Sequence, residues 1–402
     1  MGPLAGIRIL DLTTVMMGPS ATQVLAEMGA DVIKVEAPGG DPVRYIGPAR
    51  HHGMGALFLN ANGSKRSIVI DLKTAGGRQA LLKLCEGADV LAYNIRPQAM
   101  ARLGLGYDDV RSVRPDIIYA GMFGYGQDGP YAARPAYDDL IQGAALLPYL
   151  IARAGDGTPR YVPSAIADRI VGLAAVGAVN AALYHRQKTG EGQRVDVPMF
   201  ETMVGLTLAD HLGGLTFEPP LGEGGYQRLL SPERRPYRTR DGYICALVYN
   251  DKQWKSFYTA TGRAAAYDAD PRLASIKTRT DHIDALYAEV AAAFAGRTTA
   301  EWMALLEKAD IPFVPLHDFE SIMQDPHLQA VGFMPVVDHP SEGAIRKIQP
   351  ASTWSATQPV PHRPAPRLGQ HTRDLLGEAG LAAAEIDALI AAGDVQAEAT
   401  PG

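Results

Sequence analysis

The sequence predicts an α/β chain built on a parallel sheet, with a second, smaller α/β domain later in the chain. Three observations carry this. Short apolar runs alternate with helical segments through the first half, the texture changes at Pro219–Pro236, and a hairpin signal at Asp241-Gly242 is followed by several helices and one strand. Alternation of this kind is the mark of βαβ units, whose parallel strands are buried on both faces.

In order, Ile7–Leu12 reads as a strand, Ser20–Met28 as a helix and Asp31–Glu36 as a strand. Ile68–Leu72 is a strand, Ala75–Leu84 a helix, Val90–Asn94 a strand, Ala99–Leu103 a short helix and Ile117–Met122 a strand. Ile170–Leu183 holds no charge and many small residues, which predicts a helix packed on every side. The Gly-rich stretch Lys188–Gly192 stops it; Gln193–Met199 is a strand and Glu201–Leu212 a helix. Pro219–Pro236, rich in Gly, Pro, Arg and Glu, is a loop or linker. Tyr237–Val248 reads as the hairpin, Lys252–Thr261, Asp281–Phe294 and Ala300–Lys308 as helices, and Ile311–Leu316 as a strand. Pro359–Pro366 runs extended, and a last helix covers Ala382–Ala392. The expected boundaries are 1–224, 225–325 and 326–402. Trp254 and Trp302 are expected in the core of the smaller domain.

At 402 residues, 47% hydrophobic and 20% charged, the composition is that of an ordinary globular protein. A net charge of −6 argues against nucleic acid or an anionic membrane held by bulk electrostatics. Two distant cysteines, Cys85 and Cys245, sit in apolar runs and suit buried thiols in a reducing cytosol. No apolar run is expected to reach membrane-span length, and the N-terminus does not read as a signal peptide. No histidine or cysteine spacing suggests a metal, and neither a G-x-S-x-G elbow nor a G-x-G-x-x-G fingerprint is present.

The residue most open to a chemical role is Asp168, which opens the apolar small-residue helix. Its carboxylate meets the positive helix end and free N–H groups, which favour the ionised form. It is either an N-cap or a nucleophile, and the residue alone does not choose. Tyr137-Asp138-Asp139 is either another helix start or a second carboxylate brought near Asp168. Lys34, Lys73, Arg96 and Arg102 lie within or just after βα elements, where ligands of open sheets bind, and are either phosphate holders or solvated charges.

Taken together, Pro3–Leu12, Met28–Glu36, Arg66–Lys73, Ala88-Asp89-Val90, Arg102-Leu103-Gly104, Gly126–Pro130, Tyr137-Asp138, Asp168 and Thr189–Gln193 resemble the family III coenzyme A transferases, the group of formyl-CoA transferase and carnitine CoA-transferase. The likeness runs from Pro3 to about Leu376. It implies a large Rossmann-like domain with a parallel sheet, a smaller α/β domain, a C-terminal segment returning to the large domain, and two chains interlocked as a homodimer. It implies that Asp168 attacks an acyl-CoA thioester and passes CoA to a carboxylic acid through an aspartyl anhydride and an aspartyl-CoA thioester, with Tyr137 and Asp138 in support. Contacts to CoA, a co-substrate, fall by position on Val15, Met16, Ile70, Asp71, Leu72, Lys73, Asn94, Ile95 and Arg102. No metal is implied, no nucleic acid or membrane partner, and the location is cytoplasmic.

The chain departs from formyl-CoA transferase at Met16, Ala37 and Pro135, where that enzyme has glutamine, arginine and lysine, and its glycine flap is reduced to Gly222-Glu223-Gly224-Gly225. Met16 suits a larger or less polar acyl group than oxalyl or formyl, such as a branched or unsaturated dicarboxylate. One alternative is an α-methylacyl-CoA racemase type of isomerase, but Tyr137 stands where that branch has its histidine, and Ala167, Ile170 and Val171 where it has glycines. Another is a CoA-binding protein without catalysis.

Overall fold

A computed structural model of the chain describes residues 2–398. The chain divides into two compact units: Met1–Ala145, Val162–Gly205 and His327–Gly402 in the first, Leu146–Tyr161 and Leu206–Pro326 in the second. The described strands are β1 (Arg8–Leu12), β2 (Asp31–Glu36), β3 (Lys65–Ile70), β4 (Val90–Tyr93), β5 (Ile118–Phe123), β6 (Arg194–Pro198), β7 (Tyr237–Arg238), β8 (Tyr243–Ala246), β9 (Phe313–Pro315), β10 (Val336–His339), β11 (Gly343–Arg346) and β12 (Val395–Gln396).

The first unit is built on a seven-stranded sheet in the order β12-β3-β2-β1-β4-β5-β6. All neighbours run parallel except β12, which pairs antiparallel with β3 through Val395↔Ile70. Leu10 in the central strand faces Ile33 on one side and Leu91 on the other, and all three are fully buried. Leu81, Leu84, Tyr93, Tyr119, Leu375 and Leu376 continue this core. In this sheet the chain runs outward from β1 to β3, then crosses back to β4. The point where it reverses lies between β1 and β4, and crevices of open α/β sheets form there.

Three helices matter for the site: α1 (Met17–Glu27), α2 (Asp138–Ala144) and α3 (Ile166–Thr189). The α1 helix starts three residues before the expected Ser20, because Pro19 fits a first turn whose N–H groups have no partner anyway. The third parallel strand runs Lys65–Ile70 instead of Ile68–Leu72. Lys65 and Ser67 are polar yet fully buried, so they broke the apolar run by which the strand was recognised. The expectation for α3 also needs correcting. Val171, Gly172, Ala175, Val179 and Ala182 are buried, but Leu173, Gly177, Ala181 and Tyr184 form an exposed stripe along the opposite face. By length and composition this helix of 24 residues could also cross a membrane, contrary to the expectation of no such run. It packs against α1 and against β5 and β6.

The second unit holds the hairpin β7–β8, which turns at Asp241-Gly242, and β9 pairs with β8 to complete a three-stranded sheet. Its core is aromatic. Trp254, Phe257, Tyr287, Phe294 and Trp302 are at most 2% exposed, and the Phe294 and Trp302 rings lie 4.3 Å apart. Both tryptophans are core residues, as expected. Cys85 is buried, whereas Cys245 is only half-buried.

Candidate active site

The loops that follow β1 and β4 meet at the reversal point of the sheet. With the segment Gly124–Asp138 and the first turn of α3 they enclose a cleft of about 320 Å³. Val15, Met16, Asn94, Ile95, Tyr137, Asp138 and Asp168, all singled out from the sequence, line it. The other five expected contacts are elsewhere. Ile70 is buried within β3, Asp71 accepts the Lys73 N–H at 2.9 Å, Leu72 is half-buried, and Lys73 and Arg102 are exposed.

The first loop is shaped by close packing. A Cβ on Gly18 would lie 2.2 Å from Thr13 Cβ, so the chain folds tightly back on itself as it enters α1. A Cβ on Gly172 would lie 2.8 Å from the Met17 carbonyl oxygen, so α3 crosses α1 with its backbone in near contact. That contact is one turn beyond Asp168 and brings the start of α3 to the start of α1.

Asp168 is not the N-cap. Ala165 is, without a side-chain bond, and Asp168 lies within the first turn. The cap comes from another helix: the Asp168 N–H donates to Asp138 Oδ1 at 2.9 Å, and Gln142 Nε2 donates to Asp138 Oδ2 at 2.6 Å. Burial in the cleft, and then the nearby Asp138 carboxylate, push the Asp168 pKa up to about 6, while Arg169 pulls the other way. The expectation that its surroundings favour ionisation is therefore reversed. A carboxyl with a raised pKa is still ionised at neutral pH and is more basic, hence a better nucleophile, than an ordinary aspartate. Arg169 donates to Ser20 Oγ at 2.7 Å, which fixes the start of α3 on α1 a second time.

Sequence reasoning missed several residues. Arg134 and Gln127 line the cleft, and the Arg134 guanidinium stacks 3.9 Å over Tyr131. Arg96, read from the sequence as either a phosphate holder or a solvated charge, also lines it. Lys34 is not a free cation: it is fully buried and paired with Asp41 at 2.8 Å. Asn94 spends its side chain on the chain itself, accepting the Thr14 N–H at 3.1 Å and donating to the Thr14 carbonyl at 3.0 Å. Among the described residues no group of three or more His, Cys, Asp or Glu side chains is placed to hold a metal ion.

Comparison with known proteins adds an independent line. The model of CoA-transferase family III matches residues 4–372. A succinate–glutarate CoA-transferase of Agrobacterium fabrum is 34% identical, over 94% of this chain and 95% of its own. A succinyl-CoA:mesaconate CoA-transferase of Haloarcula hispanica is 32% identical, over 95% of this chain and 97% of its own. A crystal structure from Mycobacterium tuberculosis, of a protein described as a probable fatty acyl-CoA transferase, superposes with a TM-score of 0.79 at 32% identity, covering 93% of this chain and 98% of the other. The chain belongs to CoA-transferase family III and is a CoA-transferase.

Proposed function

We propose that the chain moves CoA from an acyl-CoA thioester to a carboxylic acid, with Asp168 as the covalent nucleophile. The observation that carries this is the Asp168 carboxylate itself, half-buried in the reversal-point cleft, with its pKa raised to about 6. The carboxylate attacks the thioester carbonyl, the C–S bond breaks, and CoA leaves as the thiolate. The thiolate then attacks the aspartyl side of the resulting anhydride, releasing the first acid and leaving an aspartyl-CoA thioester. The acceptor carboxylate attacks that thioester, and the expelled thiolate captures the new acyl group and frees Asp168. A carboxylate is a poor nucleophile toward a thioester in water; positioning and partial desolvation correct this. The N–H groups in the first turn of α1, where Met17 lines the cleft, suit the developing oxyanion. Val15, Met16, Asn94, Ile95 and Arg96 line the route for CoA. Tyr137, which is 69% exposed, stands at the mouth, and Asp138 holds and tunes Asp168. Asp71, Leu72, Lys73 and Arg102, outside the cleft, are assigned to the nucleotide end of CoA, whereas Ile70, buried within β3, offers it no surface.

Short dicarboxylates are the favoured acyl groups. Met16, Met122 and Met199 give the cleft an apolar floor, Arg96 and Arg134 supply positive charge, and the relatives above are named for succinate, glutarate and mesaconate. Incubation with succinyl-CoA followed by hydroxylamine is expected to convert Asp168 alone to a hydroxamate, read by peptide mass. Modification elsewhere during turnover, with Asp168 untouched, refutes the assignment.

The working form is an interlocked homodimer. The exposed stripe Leu173, Gly177, Ala181 and Tyr184, on a helix whose opposite face is buried, is the face in need of a partner, since contiguous apolar surface of this kind marks interfaces. Sedimentation is expected to give a dimer, and Leu173→Asp a monomer or an insoluble chain. A wild-type monomer at micromolar concentration ends this reading. The cytoplasm is the location consistent with two unpaired cysteines.

A further inference from the structure

The loop between β1 and α1 is held more completely than a surface loop requires. The Thr13 N–H donates to Asp11 Oδ1 at 3.0 Å, and the Thr13 carbonyl accepts from Lys34 Nζ at 3.0 Å. Both backbone groups of Thr14 are bonded to the Asn94 amide. The Val15 N–H donates to Asp41 Oδ1 at 3.1 Å, and the other oxygen of Asp41 accepts from Lys34 Nζ at 2.8 Å. Lys34 and Asp41 therefore close a ring, from the Thr13 carbonyl through ammonium and carboxylate to the Val15 N–H.

Within that ring Val15 has φ +70. Of the described non-glycine residues with positive φ, namely Val15, Ser64, Leu146 and Asp310, Val15 alone is β-branched. Its side chain makes the left-handed region costly, and such a conformation persists only where the surroundings over-determine it. Lys34 and Asp41 are both fully buried. A buried ion pair is a weak source of stability, since its desolvation offsets much of its attraction, so its use here calls for another explanation. Val15 and Met16 line the cleft with Asp168, and the turn at Val15 decides where Met16 and the first N–H groups of α1 point.

We infer that the Lys34–Asp41 pair is a positioning pair for CoA transfer: it holds Val15 in the left-handed conformation and so sets the wall of the cleft that receives the thioester. This rests on the CoA-transfer reading of the cleft. Neither residue touches substrate; both act through Val15. Lys34 thus sits near the carboxyl ends of the strands without being a phosphate ligand.

The first test needs only the wild-type protein. The Val15 amide is expected to exchange with deuterium as slowly as those of β1. Exchange at the rate of an open loop overturns the inference. The second uses Lys34→Met with Asp41→Asn, a neutral pair of similar size, chosen because Asp41→Asn alone strands a buried ammonium. The double variant is expected to lose roughly tenfold in kcat/KM, more in kcat than in KM, and to speed Val15 exchange while β4 and β5 remain protected. Adding Val15→Gly is expected to return most of the loss, because glycine adopts positive φ without strain. Glycine also deletes a side chain at the cleft, so any gain must come from the backbone. A folded double variant with wild-type kcat/KM, or one that the glycine does not improve, overturns the inference. If the double variant does not fold, the exchange measurement decides. Failure of the transfer reading itself looks different: the wild type then moves no CoA between any donor and acceptor, while Val15 exchange still reports on the pair.

Discussion

The two units bury charge in opposite ways. In the first, Lys34–Asp41 and Lys65–Asp11 are fully buried ion pairs, and Arg44–Glu36 is nearly so, all grouped around the ends of β1, β2 and β3. In the second, the core is a stack of aromatic rings, and pairs such as Lys252–Asp310 and Arg240–Glu301 lie more than half exposed. An aromatic core is the simpler way to stability, because burial of apolar surface needs no compensating partner. The first unit accepts desolvation where a loop must have one shape. Burial pushes the Asp11 pKa up, yet Lys65 and Lys34 together hold it down at about 2, and burial brings Lys65 itself down to about 8. The comparison teaches where to look: buried charge that is fully partnered builds the frame of the cleft, and Asp168, half-buried beside Asp138 with no cation bonded to it among the described residues, is left for chemistry.

The sharpest break in that comparison is Asp168→Asn. An amide cannot form the anhydride, so transfer is expected to fall by several orders of magnitude while the protein stays folded. Stability should move the other way. The folded pKa of Asp168 lies at about 6, above its ordinary 3.8, so the folded state holds a proton that the unfolded state has lost between these values. Stability therefore falls as pH rises through that window, and the wild type carries the full cost above it. The variant escapes this cost: its Tm is expected to exceed that of the wild type at about pH 8, with the gap closing toward about pH 4. Wild-type kcat/KM is expected to drop below pH about 6 as Asp168 takes up a proton. An Asp168→Asn enzyme that transfers CoA at near wild-type rate, with reversion to Asp excluded by mass, refutes the mechanism.

The parallel sheet was legible because its strands are apolar runs of strand length with helices between them. The hairpin at Asp241-Gly242 was legible from turn chemistry. Asp168 stood out because a lone carboxylate heads an apolar helix. What could not be read is whatever depends on partners far apart in sequence. Lys65 hid the start of β3 because its partner Asp11 lies 54 residues away. Lys34 looked like a strand-end cation because Asp41 could not be seen folding back on it. Asp168 looked like a cap because the group that caps its helix, Asp138, comes from α2. The exposed stripe of α3 was invisible because small apolar residues look alike whether they face a neighbouring helix or solvent.

The smallest expected effect tests the edge of the comparison, a charge that is neither buried frame nor cleft. Arg102 ends the helix Pro97–Arg102, exposed and outside the cleft that holds Asp168. CoA is long, and its phosphates can reach beyond the cleft while its thioester lies at Asp168. A guanidinium on that path adds affinity equally to ground state and transition state. Arg102→Ala is therefore expected to raise KM for acyl-CoA by roughly two- to fivefold, the range of an exposed, screened charge pair, with kcat nearly unchanged. The rise should shrink at high salt. Lys252→Ala in the second unit removes another exposed cation and is the control, expected to move neither constant. If Arg102→Ala lowers kcat at constant KM, the residue acts on the chemical step and the boundary drawn here between cleft and surface is wrong. If it changes nothing, the nucleotide end of CoA takes another path, and Arg96, which lines the cleft, becomes the next cation to replace.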